Sequence, residues 1–123
     1  MLQRKENIIL KKTEAFADRV IKMHNYLKYS KHRDSDILKQ ILRSGTSIGA
    51  NTAESRFAQS EADFVSKLSI ALKEANETRY WLQRLKGGGY ITEAEFNSML
   101  KDNEEIISIL VKITGTMKRK LQK

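Results

Sequence analysis

The sequence predicts an all-α protein, an up-down-up-down antiparallel four-helix bundle with left-handed crossings. Three observations indicate this fold. The 123 residues include no proline, the residue that a helix interior tolerates least. Four segments repeat their apolar residues at steps of three and four, which is the helical period. The connections between these segments are short, so neighbouring helices should run antiparallel within a single domain spanning residues 1–123.

The first two helices are predicted from apolar stripes that a polar turn separates. The first stripe consists of Ile9, Thr13, Phe16, Val20, Met23 and Leu27, and it ends in the polar run 29–33. One of Asp34, Ser35 and Asp36 should cap the second helix, because short polar side chains accept hydrogen bonds from free backbone N–H groups. The bulky stripe of this helix is Ile37, Leu38, Ile41 and Leu42, and a break is expected at residues 57–59.

The third and fourth helices have the clearest boundaries. Ser60 with Asp63 predicts an N-cap, and residues 87–89, all glycine, should end the third helix. Thr92 with Glu95 has the spacing of a capping box at the start of the fourth. The third stripe is Phe64, Leu68, Ala71, Ala75, Thr78, Leu82 and Leu85. The fourth is Phe96, Leu100, Asn103, Ile107, Leu110, Thr114, Met117 and Leu121.

Residues 43–55 form the most unusual segment, because nearly all their side chains are small although they lie where a helix is expected. Gly45 and Gly49 are four residues apart and share one helical face. Each glycine costs a helix up to about 1 kcal/mol relative to alanine, which suggests a compensating close contact within the bundle or between subunits. Ser47, Asn51 and Glu54 would form a polar line beside that contact. A phosphate-binding loop is disfavoured because no Gly-Lys-Ser/Thr ending is present.

No catalytic or metal-binding constellation is evident, and we expect neither an enzyme nor a cofactor. His24 and His32 fall on different elements without carboxylates at metal-ligand spacing. The carboxylates Asp63, Glu74 and Glu77 have Lys67, Lys73 and Arg79 on the same predicted helix. We interpret these as pairs on the helix surface.

Two helices show a second apolar face, which favours self-association. Trp81 lies outside the main stripe of the third helix, on the same side as Ile70. The fourth helix carries a further apolar set, which consists of Met99, Ile106, Ile109 and Ile113. Helices that are apolar on two sides in a small bundle usually bury the second side against another surface. The alternative is a wide core within one chain.

The formal net charge is +8, and most of it lies near the ends of the predicted bundle. Such clusters suit a sequence-independent contact with nucleic-acid phosphates. The alternative is that the charge maintains solubility. The candidate contacts are Lys5, Lys11, Lys12, Arg56, Lys118, Arg119 and Lys120 at one end, and Lys28, Lys31 and Arg33 at the other. Tyr26 and Tyr29 are the nearest aromatic side chains.

The cellular compartment is predicted from absences in the sequence. There is no cysteine, and the N-terminus lacks the apolar segment of a signal peptide. No stretch has the apolar length of a membrane span. We therefore expect a cytoplasmic protein with no membrane partner.

Two segments carry a family resemblance. The first is Leu42-Arg43-Ser44-Gly45-Thr46-Ser47-Ile48-Gly49-Ala50-Asn51, followed by Glu54. The second is residues 63–82, Asp-Phe-Val-Ser-Lys-Leu-Ser-Ile-Ala-Leu-Lys-Glu-Ala-Asn-Glu-Thr-Arg-Tyr-Trp-Leu. The chain resembles the four-helix-bundle proteins encoded in bacterial 23S rRNA intervening sequences. The resemblance implies a bundle that assembles into a ring, often a pentamer. The accessory protein of diversity-generating retroelements is similar in fold and binds nucleic acid.

Taken together, these observations predict a non-enzymatic homo-oligomer, with the pentamer as the expected ring, that binds RNA or DNA through basic patches without base specificity. Gly45, Ser47, Gly49, Asn51, Glu54 and Trp81 are the predicted close-packing or oligomer contacts. The alternative is a structural or adaptor ring that binds a protein partner.

Overall fold

The structure, a computed structural model, describes residues 2–30 and 35–122, with the side chains of all of these except Leu2, Gln3 and Lys5. Four helices account for most of this part of the chain: α1 (Leu2–Lys28), α2 (Asp36–Ser55), α3 (Glu61–Gly87) and α4 (Glu93–Leu121). No strand occurs within residues 2–30 and 35–122. The prediction of an all-α four-helix bundle is confirmed.

The helices run alternately up and down. A Cβ placed on Gly45 would meet Val20, whereas one placed on Gly49 would meet Thr13. A higher residue number in α2 therefore contacts a lower residue number in α1, so the two helices are antiparallel. The same reversal holds for α3 and α4, where Arg79 contacts Glu104 and Glu61 contacts Lys120. Consecutive helices pack side by side, and α1 meets α4 through a smaller contact that closes the bundle.

The starts of three helices agree with the sequence prediction, although one cap differs in its chemistry. The Ser60 hydroxyl accepts a hydrogen bond from the Asp63 amide at 3.0 Å. Thr92 and Glu95 form both bonds of a capping box, at 3.1 and 2.8 Å. Ser35 occupies the N-cap of α2, but its side chain makes no cap bond. Its hydroxyl lies 2.9 Å from the Tyr90 hydroxyl instead, which links the α1–α2 turn to the α3–α4 turn.

The end of α3 depends on the glycine cluster, as the sequence predicts. The Gly88 amide still donates to Arg84 at 2.8 Å. Gly89 then adopts a φ of 78°, a left-handed conformation that side-chain-bearing residues seldom take. This turn lets the Tyr90 amide donate to the Leu85 carbonyl at 2.8 Å, which satisfies a carbonyl that the helix end leaves free.

Leu121, the last residue of the fourth predicted stripe, is exposed at the end of α4, so its place in the core is wrongly predicted. Nearly all other residues of the four stripes form the core or pack against it, with Phe16, Ile41, Leu82 and Leu110 among the fully buried ones. Correct helical spacing is sufficient to place them there, because each helix buries one face. The prediction of a second, unburied stripe on α4 is wrong. Met99, Ile106 and Ile113 are buried within the single chain, and Ile109 packs partly against the same core. The wide core is therefore the correct alternative for this apolar set, which supplies no argument for self-association.

Polar side chains occupy a layer inside this core. Thr78 is fully buried, and its hydroxyl lies 2.9 Å from the Ser44 hydroxyl and 2.8 Å from the Glu74 carbonyl. Asn103 is also fully buried, and its amide nitrogen donates to the Ala75 carbonyl at 2.9 Å. Its side-chain oxygen has no partner among the described residues. These contacts tie α3 to α2 on one side and to α4 on the other.

Candidate nucleic-acid interface

The small-residue stretch lies inside α2 and faces α1. A Cβ on Gly45 would lie 2.8 and 2.9 Å from the two methyl carbons of Val20, and a Cβ on Gly49 would lie 3.2 Å from the Thr13 carbonyl oxygen. Both glycines are buried. They allow α1 and α2 to approach each other closely. Since these residues are helical, their amides belong to the helix and do not form a phosphate loop.

The polar side chains of this stretch bond mainly to their own helix. The Ser47 hydroxyl donates to the Arg43 carbonyl at 2.6 Å, and Asn51 donates to the Ser47 carbonyl at 2.9 Å. Glu54 is exposed and pairs with Lys67 of α3 at 3.5 Å. The hydrogen bonds of Ser47 and Asn51 are thus local, whereas Glu54 contributes to the contact between α2 and α3.

Glu74 and Glu77 pair across helices, and Asp63 accepts the Gln59 amide at 3.1 Å, so the prediction of pairs within one helix is wrong. Arg43 of α2 reaches both Glu74, at 3.2 Å, and Glu77 of α3. Arg79 of α3 forms two hydrogen bonds with Glu104 of α4, at 2.6 and 3.0 Å. The hydrogen bond and the charge of Glu104 raise the pKa of Arg79, with desolvation opposing them. The helices bring these partners together, and spacing along one helix does not reveal them.

Trp81 also belongs to the contact between α2 and α3. Its indole nitrogen donates to Glu77 at 2.9 Å, and Glu77 also binds Arg43. The Tyr80 ring meets the indole edge-on with centroids 5.0 Å apart. Trp81 is half-buried, whereas Tyr80 is exposed. The predicted second face of α3 therefore holds an intramolecular polar network beside exposed aromatic surface.

The predicted basic residues divide into paired and unpaired groups. Lys12 binds Glu105 at 2.7 Å, which places it along the side of the bundle, and Lys120 binds Glu61 at 3.0 Å. Arg119 contacts the Thr116 hydroxyl at 3.4 Å. Five of the predicted contacts are exposed and make no ion pair with described residues: Lys11, Lys28, Arg56, Lys118 and Arg119. The predicted contacts Lys31 and Arg33, and the side chain of Lys5, lie outside the described part of the chain.

A feature that the sequence prediction missed lies between α1 and α4. A groove of about 540 Å³ opens beside the C-terminal half of α1 and the N-terminal turns of α4. We call it the α1–α4 groove. Its apolar surface comes from Met23, Leu27, Ile91 and Met99, and its polar edge includes Arg19, Lys22 and Tyr26. Exposed Lys22 and Tyr26 are one turn apart, a spacing that could have identified the edge from the sequence.

The described residues contain no group of three or more His, Cys, Asp or Glu side chains that could hold a metal ion. Within the same part of the chain, no helix is both long enough and apolar enough to cross a membrane.

The sequence profile of the 23S rRNA-intervening sequence protein family matches residues 5–112, which is most of the chain. The chain belongs to this family. The family match spans the four helices and includes the small-residue stretch of α2. No curated protein is detectably similar to the chain in sequence.

A solved structure with the same fold supports this assignment. It is the crystal structure of a protein with unknown function from the S23 ribosomal protein family of Bacteroides thetaiotaomicron. The two sequences are 46% identical, with a TM-score of 0.86. The match covers 90% of this chain and 98% of the other. The family and the fold are therefore shown, and neither comparison assigns a ligand.

Proposed function

We propose that this protein binds RNA or DNA through exposed basic side chains, without base specificity and without catalysis. The proposal rests on a difference between the acidic and the basic side chains in the contacts that they make within the bundle. Most acidic side chains hold helices together or cap them, as Glu61, Glu77 and Glu104 do. Many basic side chains have no such role. Each ion pair removes one positive and one negative charge, so the net charge stays at +8. The charges that remain unpaired among the described residues are mostly positive.

The unpaired cations occur toward both ends of the bundle. Arg56 follows the end of α2, and Lys118 lies in the last turn of α4, at the same end. Lys28 and Arg84 lie toward the opposite end. Phosphates are spaced regularly along a nucleic acid, so separated cations can each contact one without reading a base. This arrangement supports non-specific binding better than recognition of a sequence.

We further propose that the chain self-associates, with a pentameric ring as the specific expectation. Large apolar side chains remain exposed on three helices, including Ile8, Ile21, Ile70 and Val111. A closed ring would cover part of this surface and repeat each basic end around a rim, which strengthens binding to a polyanion. Sedimentation velocity at several protein concentrations tests this, and a monomer at all of them would reject it.

A salt titration tests the nucleic-acid proposal. Binding to a random-sequence RNA and to the matching DNA is measured by fluorescence anisotropy between low and moderate salt. The logarithm of the binding constant should fall linearly with the logarithm of salt, by about 0.7 per phosphate contact on a single strand. No binding at low salt would refute the proposal and favour the alternative of a ring that binds a protein partner.

Two neighbouring lysines give a matched control. Lys11 is exposed without an ion pair to the described residues, whereas Lys12 is held by Glu105. Lys11→Gln should weaken binding to all sequences alike and reduce the salt slope by about one contact. Lys12→Gln should change the slope less, because Glu105 already neutralises that charge. If Lys11→Gln and the unmodified protein had equal salt slopes, Lys11 would not contact the nucleic acid.

A further inference from the structure

The α1–α4 groove has the size and lining of a binding site for a small planar group. Its volume of about 540 Å³ lies within the range of about 300–1,000 Å³ that is typical of small-molecule pockets. The floor is apolar, since Leu27, Ile91 and Met99 are all buried. Tyr26 lines the groove with 69% of its surface exposed. Exposure of so much aromatic surface beside an apolar floor leaves a face available for stacking.

Small residues of α4 leave this space open. Ala94 and Ser98 are one helical turn apart and both line the groove. Their side chains are too short to fill the space beside Tyr26. Glu95 lies between them, but one of its oxygens accepts the Thr92 amide in the capping box. The groove thus persists because the residues that could fill it are either short or held by other contacts.

One end of the groove is fixed by an arginine. The Arg19 guanidinium bonds to Asp102 at 2.6 Å, to the Ser98 hydroxyl at 2.9 Å and to the Ser98 carbonyl at 3.3 Å. These bonds join α1 to α4 where the smaller closing contact of the bundle lies. Arg19 is therefore a structural wall of the groove, and Asp102 neutralises its charge.

The charge at the polar edge of the groove that Asp102 does not neutralise comes from Lys22 of α1. Lys22 lines the groove one turn before Tyr26, and it makes no ion pair with any described residue. Tyr29 follows one turn later, with 80% of its surface exposed. The Lys28 ammonium lies 5.8 Å from the centroid of the Tyr29 ring. Lys28 and Tyr29 lie outside the groove lining, whereas Lys22 places a cation one turn from the exposed Tyr26 ring at its edge. A cation beside an exposed aromatic ring is the combination found on single-strand binding surfaces.

We propose that the α1–α4 groove accepts an unstacked base of a single-stranded nucleic acid, which stacks on Tyr26 while Lys22 contacts a flanking phosphate. The inference rests on the proposed function and adds to it the strandedness of the ligand. Charge complementarity selects this occupant. A polyanion matches Lys22 at this edge and the net charge of +8 that the chain carries.

The experiment compares Tyr26→Ala with Tyr26→Phe and with Tyr80→Ala. Tyr80 is a matched control because it is exposed on α3 and has Arg84 at 5.2 Å, but it lies outside the groove. Affinities are measured for one single strand, for its duplex and for the same strand with abasic positions. Circular dichroism and sedimentation of each variant report folding and assembly.

The proposal predicts a specific set of results. Tyr26→Ala should weaken binding to the single strand by about 5- to 150-fold, the range for loss of one stacking partner, and leave duplex binding unchanged. Tyr26→Phe and Tyr80→Ala should bind the single strand like the unmodified protein. Abasic positions in the strand should abolish the difference between Tyr26→Ala and the unmodified protein.

Other results would overturn the inference. If the folded Tyr26→Ala variant bound the single strand as tightly as the unmodified protein, no base would stack in the groove, while salt-dependent binding would still support the proposed function. Absence of binding by the unmodified protein would instead reject both proposals. A change of assembly state in Tyr26→Ala, without a change in affinity per subunit, would identify a second copy as the occupant.

Discussion

Replacement of Gly45 by alanine tests whether the small-residue stretch exists for close packing. The added Cβ would lie 2.8 and 2.9 Å from the methyl carbons of Val20, and 3.2 Å from its Cβ. Distances below 3.0 Å do not occur between such carbons, so the helices or Val20 must shift. Val20 is fully buried, and a β-branched side chain in a helix has essentially one rotamer. The Val20 side chain therefore cannot rotate away, and the backbones of α1 and α2 must move apart to relieve the clash.

The expected magnitude combines two opposing effects. Overpacking of a core by one methyl group typically costs about 1–3 kcal/mol. Alanine gains up to about 1 kcal/mol over glycine within a helix. Gly115→Ala in α4 isolates the second effect, because among the described residues a Cβ there would meet only the Arg119 side chain, at 3.6 Å. We expect Gly45→Ala to be less stable than Gly115→Ala by about 1–3 kcal/mol, since both share the same helical gain.

Equilibrium unfolding in urea measures the free energy of unfolding of both variants and of the unmodified protein. A second test adds Val20→Ala, which removes the two clashing methyl groups. The double variant should be more stable than the sum of the single effects predicts, with a coupling of about 1 kcal/mol or more. If Gly45→Ala were as stable as Gly115→Ala, or if the double variant showed no coupling, the close-packing explanation would be refuted.

Two further substitutions test other contacts by the same unfolding measurement. Thr92→Ala removes the hydroxyl that accepts the Glu95 amide, and it should lower the free energy of unfolding by about 1 kcal/mol; no change would show that the capping box does not stabilise α4. Asn103→Leu removes one hydrogen bond together with a buried oxygen that has no partner among the described residues, so stability should stay within about 1 kcal/mol. A larger loss would show that this oxygen is satisfied in solution.

The sequence by itself determined the four helices, their boundaries and most of the core. Caps and glycine stops depend on residues within one turn of each other, and a stripe depends only on the helical period. These signals are local and can therefore be interpreted without knowing which helices are neighbours. The capping box at Thr92 and the glycine turn at Gly89 are examples, and the structure confirms both.

Only the tertiary structure decided which side chains meet between helices. Arg43 faces Glu74 across α2 and α3, and Lys12 faces Glu105 across α1 and α4, because helix rotation and register place them there. Both quantities depend on how the whole core packs, as does burial of the second apolar set of α4. The α1–α4 groove has the same origin. Ala94 and Ser98 of α4 line the groove together with Tyr26 of α1. The spacing of residues along one helix cannot predict this contact between two helices.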